Sequence, residues 1–224
     1  MKILAIDTTT TRLCLGLYVD GKFYEYSLQV GRGLSSLLVP TIQRVLDAVG
    51  LKVTQIDYFA CGLGPGSFTG MRIGLATIKG LSVVKNIPII GISTLDILAE
   101  NALLKDRLIV TALDARRALI YCSSYKYQQG SLKRQSAYAL LTLDELVKKF
   151  PRRVVILGDA VALYKEALLT RIKNSTVLDK DYWSVQAHCL MSLALAKIKA
   201  KQFSSALTLK PIYLYPKECQ IKTR

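Results

Sequence analysis

The sequence predicts an α/β protein of two lobes, each a mixed sheet with flanking helices, and three observations carry that expectation. The first ninety residues alternate strand and helix signals in the order βββαβαβ. The first strand, through Ile3-Leu4-Ala5-Ile6, ends at Asp7. A second strand that ends in an aspartate, Val110-Thr111-Ala112-Leu113-Asp114, opens the second half, and each copy is followed by another apolar strand, Leu13 to Val19 and Leu119 to Tyr125.

In order along the chain, Lys2 to Ile6 is a short buried run and Leu13 to Val19 a second. Asp20 and Gly21 make a tight hairpin turn into Lys22 to Leu28. From Leu34 to Val49 apolar residues fall at 34, 37, 38, 42, 45, 46 and 49, the spacing of an amphipathic helix, with Ser35 or Ser36 as its cap and Pro40 near its first turn. A strand from Tyr58 to Gly62, a glycine-rich turn, a helix from Phe68 to Val84 and a strand from Pro88 to Ile92 follow. This order, with its aspartate, is that of the RNase H-like unit used twice in actin-like ATPases, Hsp70 and sugar kinases.

The second copy is looser. Tyr121, Tyr125, Tyr127, Lys133, Arg134 and Tyr138 interleave aromatic and basic residues, a pattern that suits base stacking but that we read as a strand pair. A helix from Thr142 to Lys149 stands behind a Thr142–Glu145 capping box. A strand from Val154 to Leu157, a helix from Asp159 to Leu169 and a last helix from Ser184 to Lys201 complete the chain, the last placing Lys197, Lys199 and Lys201 where cations suit the helix dipole. No low-complexity linker separates the halves. The expected lobes are 1–103 and 104–224, with the last helix and tail as candidates to pack back on the first lobe.

A chain of 224 residues that is 51% hydrophobic can bury a sizeable core. MKILAIDTTT reaches an acidic residue too early for an export signal, and no apolar stretch is long enough to span a bilayer, so a cytoplasmic protein without a membrane partner is expected. Cys14, Cys61, Cys122, Cys189 and Cys219 show no metal-ligand spacing and read as buried thiols, and the single histidine, His188, reads as structural. The charge is uneven: residues 104–224 hold 22 basic and nine acidic side chains, hence +13 of the net +15. Such a surface attracts polyanions, nucleic acid among them, or serves as a solvated face.

Gly64-Pro65-Gly66-Ser67-Phe68-Thr69-Gly70 lies between a strand and a helix, where free backbone N–H groups can cradle an anion. It is not a Walker A loop, because Met71 and Arg72 follow Gly70 where Lys and Ser or Thr are required. The glycines read equally as tight packing, with Gly70, Gly74, Ala76 and Gly80 presenting small faces to neighbouring helices.

GPGSFTGMRIGLATIKGL, together with MKILAIDTTT, the Leu113-Asp114-Ala115-Arg116 segment and Pro211-Ile212-Tyr213-Leu214, resembles the TsaB (YeaZ) family over most of the chain. The resemblance implies two actin-like (ASKHA), RNase H-like lobes. It also implies a non-catalytic partner for TsaD, the homologous subunit that forms N6-threonylcarbamoyladenosine next to the tRNA anticodon. TsaD draws its metal-ligand histidines from an HxxxH motif, which a chain whose one histidine is His188 does not supply. By the same resemblance the two N-terminal helices pack against TsaD, which places Leu34, Leu38, Ile42, Val45, Gly70, Arg72, Gly74, Thr77 and Leu81 at a partner interface. Arg116, and with it Asp7, falls near a nucleotide at that interface, ATP or ADP, with no cofactor bound by this chain alone. Expected partners are TsaD in a heterodimer, TsaE in a larger complex, tRNA through the complex, and a second copy of the chain when alone. Many family members carry a histidine before the first helix, where this chain reads Gly31-Arg32-Gly33-Leu34.

The rival reading is an ATP-dependent phosphotransferase or ATPase of the actin-like fold using Asp7 and Asp114. Only the first half follows its aspartate with threonines, Thr8 to Thr11; the second has Ala115, Arg116 and Arg117, so phosphate gripping is one-sided. A peptidase centred on Ser67 has no histidine base close by in the sequence, and an RNase H-type nuclease has too few carboxylates at strand ends.

Overall fold

The computed structural model of the chain describes residues 1–31, 33–102 and 104–216; the expectations placed on Arg32, on the boundary at residue 103 and on Cys219 lie outside the described residues. The chain forms two compact units. The first is built from Met1–Ile97 and Val185–Pro211, the second from Leu98–Ser184 and the segment that starts at Ile212.

In the first unit β1 (Lys2–Asp7), β2 (Arg12–Val19) and β3 (Lys22–Gln29) form an antiparallel meander, followed by α1 (Leu34–Asp47), β4 (Tyr58–Gly62), α2 (Phe68–Val83) and β5 (Ile89–Ile92); α3 (Thr94–Ala99) starts in this unit and ends in the second. The second unit holds β6 (Leu108–Arg116), β7 (Leu119–Gln128), β8 (Ser131–Arg134), β9 (Ala139–Thr142), α4 (Leu143–Lys149), β10 (Val154–Leu157), α5 (Val161–Arg171) and β11 (Thr176–Val177). The chain then returns to the first unit as α6 (Ala187–Lys199).

The two sheets repeat one plan. The first has the order β3-β2-β1-β4-β5, with β4 and β5 parallel to β1; the second runs β11-β10-β6-β7-β8, with β10 and β11 parallel to β6 and β9 paired to β7. Both are RNase H-like sheets. Because β1 is central, Ile3, Leu4, Ala5 and Ile6 are all fully buried, and their alternation divides two layers. Leu4 and Ile6 pack with Leu15, Phe59, Leu38 and Ile78 under α1 and α2, while Ile3 and Ala5 pack with Ile90, Leu190 and Met191 under α6. In the second unit Val110, Ala112, Val154 and Ile156 meet Leu146 of α4 and Leu168 of α5.

Local details sharpen several expectations. The α1 N-cap is Gly33, not a serine; Ser36 Oγ instead donates to Gly33 O at 2.9 Å, and Pro40 sits inside the helix rather than in its first turn. At α4 the capping box is present, with Glu145 N–H donating to Thr142 Oγ1 and Thr142 N–H to Glu145 Oε2. The aromatic-basic stretch is a strand pair in which Tyr125 opposes Arg134 and Tyr127 opposes Leu132. Cys14, Cys61, Cys122 and Cys189 are buried, and burial raises the thiol pKa of the first three, that of Cys122 to about 11. His188 is not a core residue: its side chain is exposed on α6, with Nδ1 3.6 Å from Glu25 Oε2. No helix among the described residues is long and apolar enough to cross a membrane.

Candidate functional site

The turn after β1 is built around Asp7. Its carboxylate is fully buried and accepts hydrogen bonds from Thr9 N–H at 2.9 Å, from Thr9 Oγ1 at 2.9 and 3.1 Å, and from Thr94 Oγ1 at 3.4 Å. Thr9 and Thr94 hydroxyls also bond each other at 2.7 Å. On another side Asp7 lies so close to the Gly62 Cα that any side chain there would overlap Oδ2. Burial raises the Asp7 pKa to about 6 against the lowering by the threonine hydrogen bonds. The carboxylate expected to face a nucleotide is therefore turned into its own unit. The rival phosphotransferase reading likewise meets a buried Asp7.

The glycine motif closes over this turn. Ser67 N–H donates to Thr9 O at 2.7 Å, Thr8 Oγ1 donates to Gly70 O at 2.8 Å, and Ser67 Oγ caps α2 by accepting from Gly70 N–H at 3.2 Å. A Cβ at Gly66, Gly70 or Gly74 would overlap Thr9 O, Thr8 O or Thr8 Oγ1 respectively. These glycines let the start of α2 lie directly on the Thr8–Thr9 backbone. They face a turn of their own unit, not a neighbouring helix, and Gly70 and Gly74 are buried there. Gly80 differs: a methyl group added there would meet no atom within 4 Å.

The apolar stripes of α1 and α2 are likewise occupied. Leu38 and Ile42 are buried in the core beneath the sheet, and Leu34, Val45 and Leu81 are half-buried against it. An amphipathic helix seats its periodic stripe on its own sheet. Of the expected interface residues, Arg72 is exposed and stacks its guanidinium 3.8 Å over the Phe68 ring, and Thr77 is half-buried. The outward apolar residues are Leu37, Val39, Phe68, Val83 and Val84, from 37% to 68% exposed. Leu37 was counted within the apolar stripe, so spacing alone did not mark it as outward.

In the second unit Asp114 sits at the equivalent strand end. Its N–H donates to Asp159 Oδ1 at 2.8 Å, and its carboxylate takes the Arg116 N–H at 2.8 Å and the Arg116 guanidinium at 3.0 Å. Arg116, Arg117 and Ala118 all have left-handed φ, between 54° and 66°, and Tyr215 Oη holds the turn by donating to Ala115 O at 2.8 Å. The Asp159 pKa is raised, chiefly by burial. Arg116 is thus anchored at one end of its fork while its side chain stays 80% exposed. Among the described residues no three His, Cys, Asp or Glu side chains converge on a metal-sized space.

Residues 29–207 match the family described as "TsaD: tRNA N6-adenosine threonylcarbamoyltransferase". The Haemophilus influenzae tRNA threonylcarbamoyladenosine biosynthesis protein TsaB is 34% identical over 96% of this chain and 93% of its own length. The Escherichia coli TsaB is 35% identical over 59% of this chain, a match that spans 58% of the relative's length. The solved YeaZ structure from Pseudomonas aeruginosa has a TM-score of 0.80 at 28% identity and covers 95% of this chain and 99% of that one.

Proposed function

This chain belongs to the TsaB (YeaZ) family, and on that footing we propose that it is the non-catalytic subunit that binds and activates TsaD. The reaction it supports is formation of the threonylcarbamoyl group on N6 of the adenosine 3′ of the anticodon, in tRNAs that read codons beginning with A.

The observation that carries the non-catalytic part is the enclosure of Asp7 by Thr9, Thr94 and Gly62. A carboxylate that orients a metal or a nucleophile must reach the reacting atoms. This one is engaged by its own turn, and the glycine motif, which in other folds grips phosphate, is pressed against the same turn.

Docking to TsaD runs through the outer faces of α1 and α2, where Leu37, Val39, Phe68 and Val83 leave apolar surface and Phe68 carries the Arg72 guanidinium. Without TsaD the same surface favours a homodimer. On this reading Arg116 meets ATP or ADP in the complex with TsaD, which its exposed side chain supports. TsaE joins the larger assembly, and the work takes place in the cytoplasm, where tRNA is the shared substrate. The test is co-purification of TsaD with this chain over a sizing column. A TsaD that elutes alone in an equimolar mixture refutes the reading.

A further inference from the structure

At one end of the second sheet the strands β6, β10 and β11 begin side by side, and the segments that enter them carry Lys105, Asp106, Arg107, Arg152, Arg153 and Lys173. The segments are tied to one another. Arg153 N–H donates to Lys173 O at 2.8 Å, Lys173 N–H donates to Pro151 O at 3.2 Å, and Arg152 and Lys173 form an isolated bridge. Asp106, Arg107, Arg153 and Asn174 line an open cavity of about 320 Å³.

Arg107 is held in place there, with Nη2 donating to Thr176 Oγ1 at 3.1 Å and to Asn174 O at 3.3 Å, while its Nε is buried with no hydrogen-bond partner. A buried donor without an acceptor is rare, and the oxygen of a water or an ion would satisfy it. None of the five cations takes part in an ion pair among the described residues.

We propose that this end of the second unit binds the phosphate backbone of an RNA strand, Arg107 and Arg153 taking one phosphate and Lys105, Arg152 and Lys173 its neighbours. Five cations on three segments exceed what a single phosphate would use, whereas a chain of phosphates engages them in turn. A guanidinium fixed through its Nη2, as that of Arg107 is, grips a phosphate oxygen in fixed geometry. The proposal rests on the tRNA-modifying reading above.

The test follows binding of a fluorescein-labelled, unmodified tRNA transcript to the full chain by anisotropy, from about 50 to about 200 mM salt. Arg107→Gln and Arg153→Gln should each weaken binding and lower the slope of log affinity against log salt by about one. Asp106→Lys should tighten binding, a gain that a misfolded variant does not produce. Unchanged affinity and slope in all three variants, with thermal midpoints intact, overturn the proposal. Binding of inorganic phosphate that responds to the variants while tRNA binding does not also overturns it, in favour of a small-anion site. Modification by TsaD with the wild-type chain is measured in parallel. If the chain fails to support modification yet tRNA binding falls in the two arginine variants, the site stands and the functional reading falls.

Discussion

The carboxylate of Asp7 rests against the Cα of Gly62, the last residue of β4, with no room between them for a methyl group. Two neighbouring parallel strands thus end in an acid and a glycine that need each other. Gly62→Ala should push Asp7 off the Thr9 and Thr94 donors and destabilise the protein by about 3 kcal/mol, the upper end of overpacking in a closed core. Gly80→Ala, inside α2 with open space around it, should instead stabilise by about 0.5–1 kcal/mol. Urea midpoints of the two variants check both signs.

Asp7 also sets a pH dependence. Its folded pKa, about 6, lies above the ordinary aspartate value of 3.8, so the folded state holds the proton more tightly. The stability from the protonated form is fully present below about pH 4, is lost as pH rises to about 6, and then levels off. A rise of this size corresponds to about 3 kcal/mol. Asp7→Asn keeps the shape of the side chain and should abolish this loss, so the difference between wild-type and variant stability should grow between about pH 4 and pH 6. Denaturation curves across that range read it directly.

The inner and outer faces of α1 should separate by experiment. Leu38→Ala empties a fully buried position and should cost about 2–5 kcal/mol of stability. Leu37→Asp, one residue away but 41% exposed, should leave the stability within about 0.5 kcal/mol of wild type and abolish co-elution with TsaD. A Leu37→Asp chain that still co-elutes would move the docking surface elsewhere.

The turn after β6 stores backbone strain at three consecutive left-handed residues. Ala118→Gly removes the Cβ that disfavours its φ of 57° and should stabilise the protein by about 1 kcal/mol. Tyr215→Phe, which deletes the hydroxyl donating to Ala115 O, should destabilise by about 1 kcal/mol. Thermal melts of the two single variants should move in opposite directions.

Much of the fold was legible because periodicity reports burial. The apolar runs of β1 and β2 and the Thr142–Glu145 box each had a local cause and appeared where expected. The short α3 was missed although Ser93 Oγ caps it by accepting from Leu95 N–H, because six residues give too little periodicity to read. β11, two residues long, gave no signal at all. The candidate site was harder. Gly66, Gly70 and Gly74 announce a close approach, but only the fold shows that the approaching group is the Thr8–Thr9 backbone. Likewise the stripe through Leu34, Leu38, Ile42 and Val45 marks α1 as amphipathic without saying whether sheet or partner covers it.

Activation of TsaD by a chain that keeps its own aspartate out of the chemistry can be measured in one reconstitution. Threonylcarbamoyladenosine formed on an unmodified tRNA transcript is followed with TsaD and the remaining components, without added chain, with wild type and with Asp7→Asn. Modification should depend on the chain and be equal for wild type and Asp7→Asn. Full modification without the chain, or its loss with a folded, TsaD-bound Asp7→Asn variant, would contradict this.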